Sequence, residues 1–383
     1  MNQLAIIEPF DTRIPGLDPV ITGSIVDNGN GLNVHVLQAG NEAGRPVVLL
    51  LHGFPELAYS WRKVMVPLAN AGFHVIAPDQ RGYGRTTGWS DQFDTDLTAF
   101  QLPNFVRDHV GLLHALGVSR VDAVVGHDYG SPVAAYCALI RPDLFKRVVL
   151  MSAPFGGPPS FGNSAGSIAR SVDHEGLLAL NPPREHYQWY YSGPDANDNM
   201  HQCAQGVHNF LRAYYHAKSA DWPGNKPYRL NSWAAIDMGL MPTYYIMNKN
   251  DNGMAGTVVP YMPDAKHIAQ CQWLPDSELA VYAQEYARTG FQGGLQSYRC
   301  ATGGEQSAAL RLYSKKAIEV PAMFISGSSD WGTYQKPGDF EAMQSTSCGD
   351  FRGCHLIDGA GHWVQQEQPA AVVDVLLPFI RGN

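Results

Sequence analysis

The spacing of hydrophobic positions changes along this chain, and the changes mark out its elements. From Leu32 to Leu51 two β-rich runs, "LNVHVLQAG" and "PVVLLL", flank the turn-like "NEAGR". "FHVIAPDQRG" predicts another strand, ending at Asp79. Between Pro103 and Leu116 the period becomes helical: Val106, Val110 and Leu113 share a face, Pro103 suits the first turn, and Gly117 suits the stop. "VDAVVG" then reads as a continuously apolar strand, "SPVAAYCALI" as a small-residue helix, and "RVVLMSAP" as the next strand. Strands that alternate with helices and are apolar throughout predict a mostly parallel sheet covered on both faces.

That rhythm stops at Pro154. "PFGGPPSFGNSAGS" has the composition of a linker, and the chain from there to about Leu310 is aromatic-rich with short helical patterns. The clearest helix in this region runs from Asp276 to Arg288, with Asp276 or Ser277 as its cap and Gly290 beyond its end. The sheet pattern resumes with "VPAMFISGSSD" and "CHLIDGAGH" and closes with a helix from Pro369 to Ile380. The expectation is one α/β core, residues 1–156 and 311–383, interrupted by an inserted, mostly helical cap over 157–310.

Composition narrows this reading only a little. The 383 residues are 45% hydrophobic and 16% charged, an ordinary globular balance. A formal net charge of −8 argues against nucleic acid or an anionic membrane surface as partner. The densest apolar run, Val47 to Leu51, is strand length, and "MNQLAIIEPF" lacks the features of a secretory signal, so the cytoplasm is the expected compartment. Six scattered cysteines show no metal spacing; Cys348 and Cys354 could pair across a turn, but reduced thiols are the favoured reading. His201, His208 and His216 recur near helical spacing without a carboxylate pattern, so packing or surface roles are preferred over a metal. The assembly state, a homo-oligomer included, is left open.

The chemistry concentrates at "GHDYG", Gly126 to Gly130, between an apolar strand and a small-residue helix. Small residues there allow a sharp turn that lifts the central side chain clear of the sheet. Asp128 at that tip has a plain alternative, capping the helix that follows. Three features favour a reactive role. Asp330, at the end of "PAMFISGSSD", and His362, after the last strand in "DGAGHWVQ", follow Asp128 in the chain order of nucleophile, acid and base. Both sit at strand carboxyl ends, where ligand sites of parallel sheets collect. "HGFPE", His52 to Glu56, follows a strand at the position of the early loop that donates an oxyanion-hole amide, assigning those donors to the amides of Phe54 and Tyr129. The Gly-rich "DQRGYGRT" loop is supportive only, and His127 reads as a packing residue of the elbow.

At these residues the chain resembles the epoxide hydrolase branch of the α/β-hydrolase superfamily. The likeness runs from about Leu32 to Pro154 and from Val320 to the C-terminus, through "HGFPE", "GHDYGS", "GSSD" and "GAGHWVQQEQP". In the cap it rests on "YQWYY" and "GGLQSYR". The resemblance implies an α/β-hydrolase fold with a mostly parallel central sheet flanked by helices. It implies no cofactor, and two proton-donating tyrosines, which match Tyr187 and Tyr298; Tyr190, Tyr191 and Tyr215 are the fallback donors.

An aspartate at the elbow carries its own implication. A carboxylate, with a reference pKa of about 3.9, is ionised at neutral pH and needs no activation. It suits displacement at a saturated carbon, and the product is an ester of the enzyme. Water must then attack that ester, with His362 as base, Asp330 orienting the imidazole, and the Phe54 and Tyr129 amides holding the oxyanion. The expected partners are a small apolar epoxide and water. The rival readings are a haloalkane or haloacid dehalogenase, in which a tryptophan or arginine would replace Tyr129, and a non-catalytic scaffold, which has no need of all three polar residues. A serine esterase is unsupported, since Ser131 lies on the helix and not at the tip.

Overall fold

The computed structural model describes residues 6–7, 14, 16–161 and 172–382. Most of "MNQLAIIEPF" and the second half of the linker after Pro154 lie outside the described residues. A nine-stranded sheet runs through the core. Its strands are β1 (Ile6–Ile7), β2 (Thr22–Asp27), β3 (Asn33–Ala39), β4 (Val47–Leu51), β5 (His74–Pro78), β6 (Ala123–His127), β7 (Val148–Met151), β10 (Ala322–Gly327) and β11 (Phe351–Ile357). Among the described residues two further strands, β8 (Arg184–His186) and β9 (Ile246–Asn248), pair antiparallel with each other between β7 and β10.

The sheet order is β1-β2-β3-β5-β4-β6-β7-β10-β11. Pairing is antiparallel from β1 to β5 and parallel from β5 onward. Strand β2 was not anticipated: "TGSIVD" is polar at half its positions, and its stability comes from full-length pairing with β3.

The central parallel strands β4 and β7 are apolar at every position because both faces are covered, whereas the edge strand β11 carries Arg352 and His355, both exposed. Val48 and Leu50 of β4 with Val125 of β6 enter one core cluster, while Leu49, Leu51 and Val124 enter the other. Alternation of side chains across the pleat sends neighbours to opposite faces. Each fully buried Val or Leu contributes about 1.5–3 kcal/mol. The cluster holding Val48 and Leu50 continues without a break into aromatics of the segment between β7 and β10, such as Phe210, Tyr214 and Tyr298. The sheet and the helical segment between β7 and β10 therefore share one hydrophobic interior.

Two boundaries differ from expectation. The helix expected from Asp276 to Arg288 spans Asp276–Thr289 with Pro275 at its N-cap and no side-chain cap; Asp276 and Glu278 instead place negative charge in the first turn. Strand β10 stops at Gly327, so Asp330 lies three residues beyond the ladder, where its carboxylate accepts from the Gly332 amide and starts a short turn. Cys348 and Cys354 are free thiols, as are the other four cysteines.

Candidate active site

Asp128 sits between β6 and the helix Gly130–Ile140 with φ of 52°, a left-handed conformation uncommon for a side chain of this kind. The turn is possible because its neighbours are glycines. A Cβ on Gly126 would lie 2.0 Å from the Gly130 carbonyl oxygen, and one on Gly130 would lie 2.2 Å from that of Leu51. The Asp128 amide donates to the Met151 carbonyl at 3.2 Å, and the Ser131 amide donates to the Asp128 carbonyl at 3.0 Å, which locks the strained residue in place.

The Asp128 side chain does not cap its helix. The Phe54 amide donates to its Oδ1 at 2.9 Å, and Oδ2 lies 3.3 Å from Nε2 of His362. The Tyr129 amide follows directly, at the start of the helix. His362 Nδ1 donates to Asp330 Oδ1 at 3.0 Å, which leaves Nε2 turned toward Asp128. Asp330 is held in turn by the Gly332 amide at 2.7 Å and the Ser326 hydroxyl at 3.0 Å. Asp128, Asp330 and His362, far apart in the chain, thus form one buried line.

Electrostatics reinforce the line. Burial by itself would raise the Asp128 carboxyl, but the contact and charge of His362, with Lys218 and His127 behind them, hold it well below the usual carboxylate range. Burial pulls the His362 imidazole down, and the charge of Asp330 with the contact to Asp128 more than reverses this, to about 9.

Tyr187 and Tyr298 line the same cavity as Asp128, a space of about 370 Å³. Their rings are 6.1 Å apart between centroids. Burial first, and the Asp128 charge second, raise both hydroxyls well above the ordinary tyrosine value. The fallback tyrosines are engaged elsewhere. Tyr190 donates to Asn199, Tyr191 to the Tyr214 hydroxyl and Tyr215 to the Pro55 carbonyl.

The comparisons with known proteins follow this geometry. Residues 46–369 match the model of the alpha/beta hydrolase fold family. Epoxide hydrolase A of Mycobacterium tuberculosis is 33% identical over 94% of this chain and 98% of its own length. The chain belongs to the epoxide hydrolase family. Epoxide hydrolase 3 of Siraitia grosvenorii is 29% identical over 93% of this chain and 97% of its own. The solved epoxide hydrolase from an endophytic Streptomyces superposes with a TM-score of 0.76 at 28% identity, covering 95% of this chain and 96% of that one. Epoxide Hydrolase A from Mycobacterium thermoresistibile gives 0.73 at 30% identity, with 94% and 98% covered.

This epoxide hydrolase contains polar residues near the site that its sequence did not reveal. His127 packs in the elbow against the rings of His362 and Trp363, and it also carries a polar role. It is fully buried, with Nδ1 2.6 Å from Glu56 Oε2 and Nε2 2.7 Å from the His362 carbonyl oxygen. Glu56 also accepts from the Gly53 amide at 3.1 Å and from Gln365 at 2.9 Å. Lys218, buried among Tyr187, Tyr214, Tyr244 and Tyr245, places its Nζ 4.6 Å from the Tyr245 ring centroid and 4.9 Å from that of Tyr214. The only sequence signal for the His127 pair was proximity of each partner to a motif.

The three histidines considered for metal go to separate partners. His201 donates to the Ala287 carbonyl and His216 to that of Tyr261, while His208 lies 3.9 Å from Asp276. Among the described residues no group of His, Cys, Asp and Glu is arranged to hold a metal ion. No helix among the described residues is long and apolar enough to cross a membrane.

Proposed function

We propose that this enzyme adds water to a small apolar epoxide, giving a vicinal diol in two steps through an ester on Asp128. Asp128 Oδ2 forms a bond to an epoxide carbon as the ring C–O bond breaks. The departing alkoxide takes a proton from Tyr298 or Tyr187, the two hydroxyls supplied by the cap of residues 157–310. In the second step His362 removes a proton from water and the hydroxide attacks Cγ of Asp128. Oδ1 becomes the oxyanion, held by the amides of Phe54 and Tyr129. Collapse expels the second alkoxide, which takes the imidazolium proton to complete the diol; until then Asp330 balances the imidazolium. The carboxylic acid left on Asp128 ionises, and its proton returns through water to the tyrosinate, restoring the resting site.

The observation that carries this reading is the division of the Asp128 carboxylate. One oxygen already sits on an oxyanion-hole donor, and the other faces the candidate base, in a cavity shared with both tyrosines. Two mobile protons on Tyr187 and Tyr298 suit a basic alkoxide leaving group, which a halide would not need. Six free thiols support a reducing compartment, the cytoplasm.

Single-turnover hydrolysis in H₂¹⁸O tests the route. The first diol is expected to carry unlabelled oxygen from the enzyme, with the label in the peptide bearing Asp128. Label in the first diol would overturn the ester mechanism.

A further inference from the structure

The turn carrying His362 is held on both sides by one carboxylate. Glu367 Oε2 accepts from the Gly361 amide at 2.9 Å, and Oε1 accepts from the Trp363 amide at 3.0 Å. Between them the His362 amide donates to the Lys218 carbonyl at 2.9 Å, and the His362 carbonyl accepts from His127 and Ser152. The backbone around the candidate base is thus tied at four polar groups spread over Gly361, His362 and Trp363.

The same carboxylate reaches the cap. Glu367 Oε2 accepts from the Ala220 amide at 2.8 Å, just past the end of the cap helix Gly206–Lys218. This approach is tight: a Cβ on Gly361 would lie 2.5 Å from the Lys218 carbonyl oxygen. The bond from Glu367 back to the Trp363 amide is local to the short helix Val364–Glu367. The contacts to Gly361 and Ala220 lie outside that helix and serve no capping purpose.

We propose that Glu367 is a positioning residue for the reaction, fixing the His362 backbone and binding it to the cap at Ala220 so that the imidazole holds its place over Asp128. This rests on the two-step reading above. Alkylation needs Asp128 and the tyrosine hydroxyls, whereas ester hydrolysis needs Nε2 of His362 within hydrogen-bond reach of the attacking water. Loosening the clamp therefore slows the second step and spares the first. A carboxamide at 367 keeps one accepting oxygen and turns an NH₂ group toward an amide that needs an acceptor.

The test is single-turnover kinetics with styrene oxide, following ester formation and ester loss separately in wild type and Glu367→Gln. Ester hydrolysis is expected to fall about 10- to 100-fold, the range for a displacement on the order of 1 Å at a reacting group. Alkylation should stay near the wild-type rate, so ester accumulates. Unchanged hydrolysis, or a parallel fall of both steps, would overturn the positioning role. Should Glu367→Gln fail to fold, Glu367→Asp, which keeps the carboxyl group and shortens the reach, is read by the same ratio with the same two outcomes. Absence of any ester in both the wild type and His362→Gln would overturn the ester mechanism itself, whereas ester present with an unchanged ratio in the Glu367 variant overturns only the role of Glu367.

Discussion

Glu56 Oε2 lies 2.6 Å from His127 Nδ1, and neither side chain is exposed to solvent. Through its second nitrogen His127 reaches the carbonyl of His362, so the pair joins the early loop, the elbow and the C-terminal loop. Burial would raise the Glu56 carboxyl, yet the charge and hydrogen bond of His127 outweigh it and hold the carboxyl below its ordinary value. Glu56→Ala leaves His127, Gln365 and the Gly53 amide without a shared acceptor. Such a loss within a buried pair costs about 3–5 kcal/mol. Chemical denaturation should read that loss at neutral pH, and a variant within about 0.5 kcal/mol of wild type, the range of ordinary surface substitutions, would contradict it.

His362→Gln should stop the reaction after the first step. The variant keeps a polar side chain beside Asp330 but has no base, so ester hydrolysis falls by about 10²- to 10⁴-fold. Mass spectrometry after mixing with an epoxide should find the substrate mass added to the peptide bearing Asp128. Asp128→Asn should give neither adduct nor diol in single-turnover experiments.

Tyr298→Phe and Tyr187→Phe should each slow alkylation by about 10²-fold or more, the contribution of a positioned acid. Tyr187 donates to Gln335 at 3.1 Å and accepts from Gln188 at 3.2 Å, so its loss also leaves Gln335 without a donor. The Tyr187 variant should therefore lose stability in a melting experiment more than the Tyr298 variant does. Because both hydroxyls are raised well above 10, neither ionises across the working range. Alkylation rates measured up to pH 10 should show no alkaline fall in the wild type.

Proton affinity at His362 should change during the cycle. The imidazole is raised to about 9 in the resting site, partly through its contact with ionised Asp128. Esterification neutralises Asp128 and removes that support, while the Lys218 charge continues to disfavour the imidazolium. Ester hydrolysis should then rise with pH through a limb more acidic than 9, while histidine NMR of the free enzyme titrates His362 near 9. Coincidence of the two values would refute the shift. For stability the sign is that of a raised histidine: the contribution is complete below the ordinary value of 6.5 and is lost as pH rises through about 9.

Acid should unfold this protein through its buried neutral histidines. Burial, reinforced by the charge of His52, lowers His109 to about 3; burial likewise lowers His186 to about 3, with the charges of Lys336 and His174 adding to it. A lowered histidine contributes stability that is complete above 6.5 and lost as pH falls toward the folded value. Between pH 6 and 4 each such group should add a slope of about 1.4 kcal/mol per pH unit to the unfolding free energy. Urea titrations of His109→Gln, whose amide can still donate to Gln80 in place of Nε2, should show a slope shallower by one proton. An unaltered slope would place the acid sensitivity elsewhere.

Much of the arrangement was legible in the chain itself. The apolar run at β6, the glycines around Asp128 and the small-residue helix are contiguous, and the sharp turn follows from them without any distant contact. The strand ends before Asp330 and His362 are likewise local, because periodicity and turn chemistry are properties of neighbouring residues. What only the tertiary structure decided are pairings between segments far apart in sequence. Pairing with β3 is what makes "TGSIVD" a strand, His127 takes its partners from the Glu56 and His362 loops, and Glu367 gathers amides from two segments. No spacing encodes these, since a buried polar group is satisfied by whichever donor or acceptor the packed chain brings within about 3 Å.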